Sequence, residues 1–345
     1  MQKVFVTQKE YDKAAEVYAE CTGFQLVPAP SEENALAATV AEHAACAVVV
    51  GVDAYAGSLY DALASANGRS LIARFGVGHD GIDKSAARRA GIFITNTPGV
   101  LDKSVAEHTF WLLGALARNV ASGDAAMRRG DFPSRQGTEL AGKTLLVIGL
   151  GAIGQQVAGI AGRGFGMNVI AVGQVPLADL AARYGVDAAS FLRNNGIASY
   201  TTDVDSALTE ADVVSLHLAS NEQTRHFLSA TRLARMKAAA LLVNTSRGPV
   251  IDEHALFSVL RDRKIAGAAL DVFEVEPYRP AAVDADLRTL DNVVLTPHLG
   301  SSTAEANRRM GEATLRNVRL FFAGRYEEMN LVDRSLLEIP VTPEK

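Results

Sequence analysis

Apolar residues in this chain fall in short unbroken runs, separated by longer stretches in which they recur every three or four positions. Val4–Val6, Ala47–Val52, Leu71–Phe75 and Ile92–Thr95 are such runs, and they predict buried strands. Lys9–Glu20, Glu32–His43, Ser58–Ala66 and Lys84–Ala90 carry helical spacing between them. The pattern restarts after Gly142, with strands expected at Thr144–Ile148, Asn168–Val172, Val213–His217, Ala240–Asn244, Ala266–Asp271 and Asn292–Thr296. Runs apolar on both faces belong to a parallel sheet covered by helices on each side. The alternation of strand and helix predicts an α/β fold built twice, as two doubly wound parallel-sheet domains.

Between the halves lies a long periodic segment, Ser104–Asn119, followed by Ala121–Gly130 and the loop Asp131–Thr138. It predicts a helix that crosses from one domain to the other. A second long helix, Ser302–Ala323, is expected to return the chain to the first. The domains expected are 1–103 with 299–345, and 104–298 between them. The connection from about 173 to 212 is long for two neighbouring strands, and Arg193-Asn194-Asn195-Gly196 within it reads as a turn.

With 345 residues the chain is long enough for two domains at roughly 150 residues each. Its 34 basic and 39 acidic residues give a net charge of −5, so no global basic field draws in nucleic acid or anionic membrane. The N-terminus lacks the apolar region of a signal peptide, and the most apolar stretch, Ala44–Val52, is about half a membrane span. Two cysteines, Cys21 and Cys46, form neither a C-x-x-C site nor a disulfide framework, and are expected as buried thiols in a reducing compartment. The expectation is a cytoplasmic protein with a small-molecule ligand, no nucleic-acid or membrane partner, and no metal.

Leu145-Leu146-Val147-Ile148 runs directly into Gly149-Leu150-Gly151-Ala152-Ile153-Gly154, and helical spacing follows. A G-x-G-x-x-G between a strand and a helix predicts a dinucleotide site. Gly149 allows the tight turn, Gly151 admits a pyrophosphate close to the backbone, and Gly154 lets helix and strand pack. The amides of Ala152 and Ile153 at the helix N-terminus face phosphate charge. An acidic residue is expected about 20 positions on to read the ribose. The second strand ends instead in Gly173-Gln174, so the cofactor is NAD(P) with NAD or NADP left open; the Gln174 amide can bond either.

Ligands bind beyond the carboxyl ends of parallel strands. Three such ends here deliver Thr245-Ser246-Arg247-Gly248, Asp271 with Glu274-Val275-Glu276-Pro277, and Pro297-His298-Leu299-Gly300. Beside a nicotinamide this set suits reduction of a 2-oxo acid. Arg offers a planar fork to carboxylate and carbonyl oxygens, and His carries the proton, while Glu stabilises the imidazolium. His79, near a candidate substrate loop, and His108, on the crossover helix, are further candidates. His43, His217, His226 and His254 read as structural.

Together these motifs resemble the D-isomer-specific 2-hydroxyacid dehydrogenases over roughly residues 45 to 330. They include Arg74-Phe75-Gly76-Val77-Gly78-His79-Asp80-Gly81-Ile82-Asp83, Asn96-Thr97-Pro98-Gly99, Ser104-Val105-Ala106-Glu107-His108, Asn244-Thr245-Ser246-Arg247-Gly248, Asp271-Val272-Phe273-Glu274-Val275-Glu276-Pro277 and Thr296-Pro297-His298-Leu299-Gly300. The resemblance implies catalytic Arg247, Glu276 and His298. It implies substrate contacts at Arg74, Gly76, Val77 and Gly78, a nicotinamide partner at Asp271 with Thr245 and His298 nearby, and a homodimer formed through the cofactor domain. It implies a Rossmann domain inserted into a flavodoxin-like one. Arg74 and Gly137-Thr138-Glu139-Leu140 are similar to the 3-phosphoglycerate dehydrogenases of that family. Phosphoglycerate, hydroxypyruvate, glyoxylate and pyruvate-like acids all remain candidates. The alternative is a corepressor-like protein that senses NAD with little turnover.

Overall fold

The computed structural model describes residues 1–66 and 68–338. The chain divides into two compact units, Met1–Leu101 with the chain from Ser302 onward, and Asp102–Ser301. The second therefore interrupts the first in sequence.

In the first unit, β1 (Lys3–Thr7), β2 (Gln25–Ala29), β3 (Ala47–Val50), β4 (Ser70–Arg74) and β5 (Ile92–Thr95) form a parallel sheet in the order β2-β1-β3-β4-β5. That is the flavodoxin-like order. β2 has no apolar run to announce it. Gln25-Leu26-Val27-Pro28-Ala29 lies at the sheet edge, half-exposed, where a proline is tolerated because no further strand needs its missing N–H. The expected helix over 9–20 is two short ones, Gln8–Lys13 and Ala15–Ala19, broken at Ala14. The helix Ala304–Phe322 belongs to this unit, and Asn317 on it bridges the Asn96 carbonyl and the Asn330 amide, at 3.1 and 3.0 Å.

The second unit holds β6 (Thr144–Ile148), β7 (Asn168–Val172), β8 (Ser199–Thr201), β9 (Val213–Leu216), β10 (Leu241–Asn244), β11 (Gly267–Leu270) and β12 (Val293–Leu295). All pair in parallel, in the order β12-β11-β10-β9-β6-β7-β8. Side chains alternate between the faces. Leu146, Ile148, Val214, Leu216, Leu242 and Leu270 pack in one core with Leu256 and Leu260. Leu145, Val147, Val169, Val213, Leu241 and Val243 pack in another with Phe110, Leu113 and Val157. With both faces dry, these strands read as unbroken apolar runs. β8, Ser199-Tyr200-Thr201, is a polar edge strand and carries no such signal.

The two cysteines are free thiols, and both are half-buried rather than buried. Among the described residues no helix is long and apolar enough to cross a membrane.

Candidate active site

β6 connects through β7 to one side of the sheet, while β9 lies on its other side, so the order reverses between β6 and β9. Ligands bind in open α/β sheets at that crevice. The glycine loop occupies it. Gly149 has φ +98°, and a Cβ there would lie 2.5 Å from the His217 carbonyl oxygen. A Cβ on Gly154 would lie 2.0 Å from the Gly149 carbonyl, so this helix turn touches the loop backbone directly. Gly151, by contrast, opens onto free space, and it caps the helix Ala152–Gly159 without a side-chain bond. A bare helix N-terminus above an open glycine fits a pyrophosphate, with the amides of Ala152 and Ile153 as donors. His217, read from sequence as structural, sits at the end of β9 against this loop. Its Nε2 lies 2.8 Å from Ser215 Oγ, and burial pushes the ring down to about 4.

At the end of β7, Gly173 meets Tyr200: a Cβ would lie 2.3 Å from the phenol oxygen. Gln174 is exposed.

Arg247, Glu276 and His298 come from three successive strand ends, as the sequence pattern expects. His298 Nδ1 lies 2.7 Å from Glu276 Oε2. A carboxylate only accepts, so Nδ1 carries the hydrogen of this bond and Nε2 is left to exchange a proton. Glu276 is held in turn by the Phe273 amide on Oε1, at 3.1 Å. His298 adopts φ +55°, with its amide bonded to the Asp271 carbonyl at 2.9 Å. Arg247 is steered by Asn244, a fully buried residue. The Asn244 amide nitrogen donates to the Arg247 carbonyl at 2.9 Å, and its oxygen accepts from Ser246 N and Oγ at 3.0 and 2.8 Å. Arg247 Nη1 donates to the Ser246 carbonyl at 2.6 Å.

Gly248 locks the two loops together. A Cβ there would lie 1.8 Å from the Phe273 carbonyl carbon, so only glycine lets the arginine loop lie on the glutamate loop. From the other side the Glu274 amide donates to Glu253 Oε2 at 3.1 Å, and His226 Nε2 sits 2.5 Å from Glu274 Oε1. Burial, with Glu274 nearby, pushes the Glu253 carboxyl upward.

Asp271 is buried at the hub of the site. Oδ1 accepts from His108 Nε2 (3.2 Å), Thr296 Oγ1 (2.5 Å) and the Leu299 amide (2.8 Å), and Oδ2 from the Gly300 amide (2.8 Å). Burial raises its carboxyl, but the bonds from His108 and Thr296 outweigh burial and hold it below the usual carboxylate range. The histidine loop is therefore pinned by the end of β11, the neighbouring strand. Thr245 is buried, with Oγ1 at 2.8 Å from Thr109 Oγ1; Thr109 donates to the Val105 carbonyl, so Thr245 is the donor between them. His108, a candidate for ligand contact, has its Nε2 3.2 Å from Asp271 Oδ1 and 3.3 Å from Thr296 Oγ1. Spacing on one helix gives no hint of either bond.

In the first unit, Arg74 is buried and its guanidinium lies under Gly76, donating to the Phe75 carbonyl. Gly76 has φ +137°. Its carbonyl accepts from the Thr97 amide at 3.0 Å, and the Val77 carbonyl accepts from Asn96 Nδ2 at 2.9 Å. A trans peptide sets its N–H opposite its C=O, so the Val77 and Gly78 amides both turn away from residues 96–97. Successive outward amides make an anion-binding concavity. His79 follows, half-buried. Among the described residues no group of three or more His, Cys, Asp or Glu is arranged to hold a metal ion.

Comparison with known proteins bears on this arrangement. Residues 110–300 match the family described as D-isomer specific 2-hydroxyacid dehydrogenase, NAD binding domain. A glyoxylate reductase of Korarchaeum cryptofilum is 38% identical over 275 residues, 78% of this chain and 77% of that one. A hydroxypyruvate reductase of Thermotoga maritima is 41% identical over 254 residues, 73% of this chain and 77% of that one. Among solved structures, an NADPH-dependent glyoxylate/hydroxypyruvate reductase of Sinorhizobium meliloti, in complex with NADP and malonate, superposes with a TM-score of 0.76. It is 28% identical, with 93% of this chain and 94% of that one covered.

Proposed function

The chain belongs to the D-isomer-specific 2-hydroxyacid dehydrogenase family, and from that premise we propose that it reduces glyoxylate or hydroxypyruvate to the corresponding 2-hydroxy acid with NAD(P)H. That it is an NAD(P)-dependent oxidoreductase of 2-hydroxy acids follows from these relatives, and they do not favour a sensing protein with little turnover. The observation that carries the catalytic assignment is the 2.7 Å bond between His298 Nδ1 and Glu276 Oε2, on loops that Gly248 clamps to Arg247.

The glycine loop would seat the dinucleotide, with Gly151 and the amides of Ala152 and Ile153 toward the pyrophosphate, Gly149 and Gly154 shaping the turn and its packing, and Thr245 and Asp271 toward the nicotinamide. When bound, the cofactor supplies the hydride. His298 Nε2 gives the carbonyl oxygen its proton, and Glu276 holds the ring in the orientation and tautomer that this requires. Arg247 polarises the carbonyl and pairs with the carboxylate. In the first unit, the amides of Val77 and Gly78, with Gly76 at the corner and Arg74 beneath it, would suit a carboxylate. We also propose a cytoplasmic homodimer. Trp111 (74% exposed), Met127 (55%) and Phe132 (90%), on the helices Asp102–Ala117 and Val120–Arg128 and the loop after them, are exposed apolar side chains that favour burial against a second copy.

The test is initial rates of NADH and NADPH oxidation against glyoxylate, hydroxypyruvate, phosphohydroxypyruvate and pyruvate. Turnover is expected, strongest on the first two. Replacing His298 with Ala should lower kcat by about 10²–10⁴. Near wild-type kcat in that variant would remove His298 from the chemistry.

A further inference from the structure

The missing acidic residue at the end of β7 has a structural counterpart. A Cβ at Gly173 would lie 2.3 Å from the Tyr200 hydroxyl, which donates to the Val175 carbonyl. The Gly173 amide is engaged as well, by the Thr201 carbonyl at 3.3 Å. An uncharged ring thus fills the place from which a carboxylate would read the ribose.

The segment between β7 and β8 is fixed against the glycine-loop helix. Gln155 Nε2, on the first turns of that helix, donates to the Leu150 carbonyl (2.9 Å) and to Tyr184 Oη (2.6 Å). Tyr184 packs on Phe191 with ring centroids 5.4 Å apart, and Arg163 Nη1 donates to the Asn194 carbonyl at 2.7 Å. A Cβ on Gly162 would lie 2.2 Å from the Gly196 carbonyl oxygen, so helix and segment are in backbone contact. Arg183 precedes Tyr184, is exposed, and caps the helix Leu177–Ala182. Its neighbour Tyr184 is thus bonded to Gln155 on the glycine-loop helix, and Tyr200 lies at Gly173. Burial pushes the Tyr200 phenol upward, and the positive charge of Arg183 opposes that shift. Of the nearby carboxylates, Asp187 and Asp203 cap helices through the Ser190 and Ser206 amides, and Asp179 lies on the first turn of the Leu177–Ala182 helix.

We propose that this chain binds NADP(H) in preference to NAD(H), with Arg183 as the cation for the 2′-phosphate and Tyr200 keeping position 173 free of a competing carboxylate. This rests on the dinucleotide reading of the glycine loop and narrows it. A 2′-phosphate brings a double negative charge that an arginine fork can grip, and the absence of a carboxylate removes its repulsion.

The experiment titrates NADPH and NADH separately into the purified protein, with binding read by calorimetry in the absence of any 2-oxo acid. NADPH is expected to bind at least tenfold more tightly, and its Kd to rise more steeply with salt than that of NADH. In Arg183→Ala the NADPH Kd should rise about tenfold or more while the NADH Kd changes less than twofold; Arg183→Lys should recover part of the difference. Arg183 is exposed, so the fold is not at stake. Equal affinities in the native protein, or equal weakening of both cofactors in Arg183→Ala, would overturn the proposal. Binding of neither dinucleotide would overturn it together with the cofactor reading. NADPH-selective binding without turnover of any 2-oxo acid would sustain it and remove the catalytic assignment instead.

Discussion

His217 sits where β9 ends, with its carbonyl against Gly149 and its ring bonded to Ser215. Burial lowers the ring from 6.5 to about 4, so the folded protein keeps it neutral where the unfolded chain would protonate it. The sign follows from that difference. Between pH 6.5 and 4 the unfolded state binds the extra proton, so stability falls as pH drops through this window and levels off above it. The full effect is on the order of 3 kcal/mol. Thermal unfolding followed from pH 7.5 down to 4.5 should show the decline, and His217→Gln should flatten it. Asp271 works in the opposite chemical sense but with the same outcome. Its carboxyl is held below the usual range, so its contribution is present at neutral pH and is lost in strong acid. Asp271→Asn removes the anion that gathers His108, Thr296, Leu299 and Gly300, and should lower both Tm and kcat.

At the scale of elements, the loops that carry Arg247, Glu276 and His298 are held by backbone contact. Gly248 is the clearest instance, since its Cβ position coincides with the Phe273 carbonyl. Gly248→Ala should force the Arg247 and Glu276 loops apart. A shift of about 1 Å is enough to cost roughly 10² in rate. The expected result is a kcat lower by that factor with the protein still folded, read by steady-state kinetics beside a melting curve. The strands themselves were legible because both faces of each are apolar, and β3, β4, β5, β6, β7, β9, β10 and β11 lie where the apolar runs place them. β2 and β8 were not, because each is an edge strand with one side in solvent and no need of an apolar run. The turn expected at 193–196 is the close of the helix Ala188–Asn194, with Gly196 at φ +65°.

For the whole molecule, the proposed self-association rests on apolar groups that nothing in the second unit covers. Trp111 and Phe132 are 74% and 90% exposed, more than a buried-core role allows. Trp111→Glu combined with Phe132→Glu should convert a dimer to a monomer in light scattering coupled to size-exclusion chromatography. A dimer unaffected by the pair would place the interface elsewhere. Neither residue takes part in the Arg247, Glu276 and His298 loops, so dinucleotide binding by the variant should persist.

The sequence alone determined the class of fold, and it made the glycine loop and the polar residues at the strand ends legible. Strand–helix alternation, glycine spacing and polar residues at strand ends are local signals, each readable within a dozen or so residues. Only the tertiary structure decided how those parts hold one another. The Asp271 hub joins residues 108, 271, 296, 299 and 300, and the Gly248 clamp joins residues 248 and 273, across separations at which no spacing rule operates. The same holds for Tyr200 at Gly173: a glycine in place of an acid is visible in the sequence, but the ring that fills the space arrives from another strand. Local pattern is written in neighbouring residues, whereas close packing between distant loops is set by the sheet that brings their ends together.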